Sequence, residues 1–177
     1  MRILLLASML WVLYGCTGLP EAVTPVDDFD VNRYLGKWYE IARLDHSFER
    51  GLSNVTAEYS LRDDGGLNVI NRGYSSKTGE WKQAEGKAFF VDQPDKGHLK
   101  VSFFGPFYGS YVVFELDKAD YEYAYVAGYN KSYLWLLARS PDVDSVLIER
   151  FVETARELEF DSDALIFVRH DAAADGS

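Results

Sequence analysis

From Trp38 onward, apolar and aromatic positions recur in short stretches separated by turn residues, and several stretches alternate strictly. In Val55-Thr56-Ala57-Glu58-Tyr59-Ser60 one face is apolar and the other polar, and Leu67-Asn68-Val69 continues the period of two. Eight strands are predicted: Gly36–Arg43, Val55–Leu61, Leu67–Tyr74, Lys82–Val91, Lys100–Phe104, Tyr111–Leu116, Tyr123–Tyr129 and Tyr133–Ala138. Their connections are short and rich in Gly, Asp, Asn or Pro, such as Asp63-Asp64-Gly65-Gly66 and Pro94-Asp95-Lys96-Gly97, as antiparallel hairpins require. Tyr123-Ala124-Tyr125-Val126-Ala127 is apolar on both faces, so one face must lie under another element or a partner. From Pro141-Asp142 to about Glu159 the period changes. Val143, Val146, Leu147, Phe151, Val152 and Leu158 recur at spacings of three and four, with charges between them, which predicts one amphipathic helix laid on a surface. Eight antiparallel strands remove their exposed edges by closing, so the fold class is all-β: an eight-stranded antiparallel up-and-down barrel with one C-terminal α-helix packed on the outside.

The segment before the strands has a different character. Ile3 to Tyr14 is an almost unbroken apolar run behind Arg2, about a dozen residues long, too short to span a bilayer and of the length of an export signal's apolar region. Leu13-Tyr14-Gly15-Cys16 ends it, and Cys16 is the only cysteine, so no intramolecular disulfide can form. Thr17 to Asp28 holds Pro20 and Pro25 and no periodicity, and reads as a tether. The expected organisation is therefore a leader over residues 1–15, a tether over 16–28, a barrel domain over 29–170 and a frayed tail over 171–177.

Composition narrows the partners. With 28 acidic against 18 basic side chains the net charge is −10, and no basic stripe is visible, which excludes nucleic acid. The three histidines are scattered, there is no second cysteine, and the paired aspartates lack EF-hand spacing, so neither a metal nor a cofactor is implied. His46-Ser47 beside Asp45 lacks a nucleophile elbow, and neighbours in sequence are badly placed for a triad.

Leu-Tyr-Gly-Cys resembles the bacterial lipobox, in which the cysteine becomes the first mature residue and carries a diacylglyceryl thioether and an N-acyl chain. That resemblance implies a lipid anchor at Cys16, worth about 0.8 kcal/mol per buried methylene. Thr17, which is not Asp, implies sorting to the outer membrane of a bacterial cell. Asn32-Arg33-Tyr34-Leu35-Gly36-Lys37-Trp38-Tyr39-Glu40 resembles the first lipocalin motif, and Arg139, at the end of Tyr133-Leu134-Trp135-Leu136-Leu137-Ala138-Arg139, resembles the arginine of the third. Val101-Ser102-Phe103-Phe104-Gly105-Pro106-Phe107-Tyr108-Gly109 and His46-Ser47-Phe48-Glu49-Arg50-Gly51 are similar to the bacterial lipocalins related to apolipoprotein D. The resemblance implies a structural base of Gly36, Trp38 and Arg139, with the guanidinium over the indole.

Taking Trp38 as inward and following the family's strands places Val55, Ala57, Tyr59, Val69, Asn71, Val101, Phe103, Tyr125, Tyr133 and Trp135 inside the barrel. Each either lines a lipid-binding pocket or fills a core. Arg43, His46 and Arg50 are expected at the open end, where a polar head group would meet them. The Phe104, Phe107, Tyr108 and Tyr111 cluster is an aromatic contact surface or a tightly packed hairpin, and the resemblance implies contact with a second copy, a homodimer. The implied function is to bind and carry or store a fatty acid such as palmitate, a lysophospholipid or a similar membrane-derived lipid. The alternatives are an enzyme acting on a lipid and a ligand-free structural lipoprotein.

Overall fold

The computed structural model describes residues 17–171; the leader, Cys16 and residues 172–177 lie outside it. A short helix α1 (Val31–Tyr34) precedes eight strands: β1 (Gly36–Arg43), β2 (Leu52–Leu61), β3 (Leu67–Ser75), β4 (Glu80–Phe90), β5 (His98–Ser102), β6 (Gly109–Leu116), β7 (Tyr123–Ala127) and β8 (Leu134–Ala138). Helix α2 (Ser145–Glu157) and a two-residue strand β9 (Ile166–Phe167) follow. Each strand pairs antiparallel with its neighbour in sequence, and β1 pairs with both β2 and β8, which closes the barrel. The strands thus run alternately between a base, where β1 begins, and a mouth formed by the β1–β2, β3–β4, β5–β6 and β7–β8 loops.

The base is built around Trp38. Gly36 adopts φ +91°, a left-handed conformation that only glycine takes without strain, and this lets the chain turn from α1 into β1. Trp38 is fully buried, and its Nε1 donates to Tyr34 O at 2.8 Å. The Arg139 guanidinium carbon sits 3.9 Å from the Trp38 ring centroid. Arg139 donates to Arg33 O at 2.7 Å and Lys37 O at 2.9 Å, so the cation plugs the base while satisfying backbone acceptors.

Two layers of apolar side chains follow from strand alternation. The inward set includes Trp38, Tyr59, Leu67, Val69, Leu99, Val113, Ala124 and Val126. A second set, with Ile41, Val112, Tyr125, Leu134 and Leu136, faces outward beneath Phe151, Ala155 and Phe160 of the α2 segment. Asp144 caps α2, accepting from Val146 N at 2.8 Å, so the helix starts three residues later than Pro141-Asp142 suggests.

The segment expected as a tether is not free over its described part. Val23 is buried among the outward core residues, Val26 exchanges backbone hydrogen bonds with Val113 and Gly97, and Ser110 Oγ donates to Gly18 O at 2.7 Å. Two prolines and the missing period suggested a loose chain. Instead Val23, Val26 and Phe29 are apolar anchors that strap residues 18–29 onto β5 and β6. At the mouth end β1 parts from β2 after Tyr39, and β9 takes over, pairing Ala42 with Phe167. Asn54 N then donates to Arg169 O, which stitches the gap.

Candidate functional site

Inside the barrel lies a cavity of about 260 Å³ that opens at the mouth. It exceeds the roughly 150 Å³ apolar void that holds a benzene, so the barrel has room for a ligand larger than one ring. Its middle is apolar: Ala57, Leu67, Val69, Ala88, Leu99, Val101 and Leu137. Its floor is phenolic. Tyr111 OH lies 2.7 Å from Tyr34 OH and 2.8 Å from Tyr59 OH, a chain of three hydroxyls above Trp38. Burial raises the pKa of all three phenols above the ordinary value, so the floor is uncharged.

Of the ten residues expected inside, Ala57, Tyr59, Val69, Asn71, Val101, Phe103, Tyr133 and Trp135 line this cavity. Two do not. Tyr125 faces outward, its ring 4.9 Å from Phe151, because Ala124 and Val126 occupy the inward positions of β7. A strand apolar on both faces gives no parity signal, and a slip of one residue inverts the face. Val55 is buried but lies off the cavity wall. A bulge between Ser53 and Thr56, with Asn54 at φ +52°, displaces it, and it packs with Leu52 over the space that Gly73 leaves empty. Tyr111, expected in the exposed aromatic surface, belongs to the floor.

The mouth departs most from expectation. A bulge in β1 between Glu40 and Ala42 turns Ile41 and Ala42 outward, so Glu40 and Arg43 both point in. Arg43 is fully buried. It donates to Glu40 Oε1 at 2.5 Å and to the Glu49 backbone carbonyl at 2.9 Å, so both terminal nitrogens are spent on the protein, while its buried Nε has no partner among the described residues. Arg50 is likewise engaged, to Asp45 at 2.7 Å on the surface. His46 Nε2 lies 2.8 Å from Glu49 Oε2, and Trp135 Nε1 donates to the same oxygen at 3.1 Å.

Glu40 and Glu49 are both buried and both line the cavity. Desolvation and the neighbouring Glu49 charge push the Glu40 carboxyl well above the carboxylate range. Burial opposes ionisation of Glu49 as well, but the His46 and Trp135 contacts outweigh it and hold its pKa below the usual value. The pair therefore presents one protonated and one ionised carboxyl to the cavity. Asn71 Oδ1, also buried, has no hydrogen-bond partner among the described residues. Phe48, Tyr129 and Tyr133 complete the rim. Glu40 lies in phase with Trp38 and was legible as inward from alternation alone; its charge hid it as a pocket residue.

The arrangement of Gly36, Trp38 and Arg139 at the base of an eight-stranded barrel agrees with a family match. The lipocalin-like domain matches residues 29–170. The chain belongs to the lipocalin-like family. Outer membrane lipoprotein Blc of Vibrio cholerae is 62% identical over 94% of this chain and 96% of its own length. Apolipoprotein D of Bos taurus is 36% identical over 65% of this chain and 63% of its own. Among solved structures, insecticyanin of the tobacco hornworm Manduca sexta superposes with a TM-score of 0.68 at 24% identity, covering 91% of this chain and 90% of that one, which shows a shared fold. This lipocalin is a bacterial outer-membrane lipoprotein with a barrel suited to a small hydrophobic ligand.

Proposed function

We propose that this lipocalin binds a lysophospholipid-like amphiphile, acyl chain down among the apolar side chains and polar head among the mouth residues, and carries or stores it at the outer membrane while anchored through acylated Cys16. The observation that carries the head-group reading is the pair of buried carboxyls lining the mouth, of which Glu49 is held in its ionised form. Glu40, Glu49 and Asn71 Oδ1 face the cavity, while the nearest cation, Arg43, is already paired. A free fatty acid would bring its carboxylate beside the ionised Glu49, which like-charge repulsion opposes. A head with a hydroxyl and an ammonium group supplies donors to those acceptors, and the rings of Phe48, Tyr129, Tyr133 and Trp135 suit a cation.

The role is binding and not catalysis. The cavity-facing carboxyls contact Arg43, His46 and Trp135, and the hydroxyls of the floor bond one another, so among the described residues of the cavity no activated nucleophile stands beside a base. The open cavity also disfavours a filled, purely structural barrel.

The test is titration of delipidated full-length protein in detergent, followed through Trp135 emission. Lysophosphatidylethanolamine is expected to bind at least about tenfold more tightly than palmitate at neutral pH, a difference near 1.4 kcal/mol. Each methylene added to the acyl chain, until the cavity is full, should tighten binding by up to about fourfold. Palmitate binding as tightly as the zwitterionic lipid would refute the head-group assignment; no binding of either would refute the carrier reading.

A further inference from the structure

On its cavity side, the phenolic floor holds one proton more than it can use. A tyrosine hydroxyl brings one proton and two lone pairs. Tyr34, Tyr59 and Tyr111 make two hydroxyl–hydroxyl contacts, at 2.7 and 2.8 Å, both through Tyr111. Whichever way the donors point, two of the three protons are used, and no acceptor among the described residues is bonded to the third. Tyr34 O already accepts from Trp38 Nε1, and the indole nitrogen is a donor only. Asn71 Oδ1, the buried acceptor on the cavity wall, is itself without a partner, so it does not take the proton either. Nor can the trio shed it, because burial pushes all three hydroxyls up in pKa and keeps them protonated.

The surroundings decide what can meet this donor. Tyr34 and Tyr59 are only 1% and 5% exposed, and Tyr59 pairs with Gly36 at the start of β1, the closed end of the barrel. Leu67, Val69, Leu99 and Val101 form the wall between the trio and the mouth. A methyl-ended acyl chain laid in this cavity buries the spare proton against hydrocarbon, at the cost of an unpaired donor. A hydroxyl on the buried end of the ligand removes that cost. Its oxygen accepts the spare proton, and its own proton goes to one of the phenol lone pairs left free. An ionised carboxylate fits worse, since one neutral donor does not offset the desolvation of a charge at this depth.

We infer that Tyr34, Tyr59 and Tyr111 form a second polar subsite, which receives a hydroxyl group carried at the buried end of the hydrophobic ligand, so that the cavity favours hydroxylated over plain acyl chains. The inference rests on the reading of the cavity as the lipid site with the head group at the mouth.

The test titrates delipidated full-length protein in detergent with lysophosphatidylethanolamines whose acyl chains have ten, twelve, fourteen or sixteen carbons, each plain and with a hydroxyl on the terminal carbon. In a pocket that is apolar to its end, the hydroxyl is desolvated without a partner and weakens binding by about tenfold or more at every length. Here that penalty is expected only at lengths that leave the hydroxyl among the Leu and Val side chains. At the length that reaches the floor, the hydroxylated lipid should bind at least as tightly as the plain one. A tenfold penalty at every length overturns the subsite while leaving the carrier reading intact; failure of every lipid, plain and hydroxylated alike, refutes the carrier reading instead.

The Tyr34→Phe, Tyr59→Phe, Tyr111→Phe triple variant removes donors and acceptors together, which spares the fold an orphaned partner. At the favoured length its ratio of hydroxylated to plain affinity should fall by about tenfold. An unchanged ratio would place the hydroxyl elsewhere and overturn the assignment. A readout on the parent protein needs no variant: a lysolipid of the favoured length ending in a methyl ketone should show its ketone infrared band at lower frequency when bound than in hexadecane. A band at the hexadecane position would mean that no donor meets the chain end, and the subsite would fall.

Discussion

The two ends of this barrel solve opposite problems. At the base, donors and acceptors match: Trp38 Nε1 has Tyr34 O, and Arg139 spreads its hydrogen bonds over Arg33, Lys37 and Tyr121 carbonyls while covering the indole. At the mouth two buried carboxyls share one pocket, Arg43 Nε and Asn71 Oδ1 lack partners among the described residues, and large rings stand in solvent. Interactions completed within the chain stabilise it, and groups left unsatisfied inside it are completed by something else. Substitutions at the base should therefore read out in unfolding, and substitutions at the mouth in binding.

The largest stability effect is expected from Trp38→Ala. It removes a fully buried ring that Tyr34 and Arg139 both contact, and should cost about 3–5 kcal/mol in urea unfolding. Next comes Ala57→Trp on the cavity wall, where added bulk occupies the space of the acyl chain. Lysolipid affinity should fall by about a hundredfold or more, equivalent to roughly 2.7 kcal/mol, with the unfolding midpoint changed far less than in Trp38→Ala. A variant that kept its affinity would show that the cavity is not the binding site. Arg139→Ala, which loses the cation–ring contact and the carbonyl bonds but leaves the ring buried, should cost about 1–3 kcal/mol and leave lysolipid affinity unchanged.

The base was far more legible in the sequence than the mouth, and the reason is physical. Gly36, Trp38 and Arg139 are each required by a local constraint: a positive φ, a ring that fills a closed end, a cation that stacks on it. Strict alternation likewise announced Ala57, Tyr59, Val69 and Asn71 as inward. The failures cluster where the period breaks. The β1 bulge sends Arg43 inward beside Glu40, the β2 bulge takes Val55 off the cavity wall, and the doubly apolar β7 hides that Tyr125 faces α2. The strap was misread because its anchors, Val23, Val26 and Phe29, are too widely spaced to form a period.

The acid response should separate the ends again. The folded pKa of Glu49 lies below its ordinary value of 4.5, so its interactions with His46 and Trp135 contribute stability that is present above that pH and is lost as pH falls through the folded value. Glu40 is shifted upward and acts in the opposite sense: folding favours its protonated form, so its contribution declines as pH rises above 4.5. Glu49→Gln should therefore lose less stability than the parent on acidification from pH 5 to pH 3, and Glu40→Gln should lose more. Arg139→Ala should follow the parent's pH dependence closely, because the guanidinium's hydrogen bonds go to backbone carbonyls, which do not titrate. Parallel curves for all four proteins would mean that the two carboxyls do not titrate as a buried pair.

The smallest effect on folding is expected at the most conspicuous residues. Phe104 and Phe107 bury little of their surface in the folded chain, so replacing both with serine removes few contacts and should change the unfolding free energy by less than about 0.5 kcal/mol. Apolar rings exposed in water reduce solubility, so the double variant should also be at least as soluble as the parent in the absence of lipid. A loss of 2 kcal/mol or more on the scale of a buried ring would mean that the hairpin packs against the barrel, and the contrast between a self-satisfied base and an unsatisfied mouth would fail at its clearest point. Unchanged folding would show that these two rings contribute nothing to the fold, and that any lowering of free energy by their burial comes from contact outside the chain.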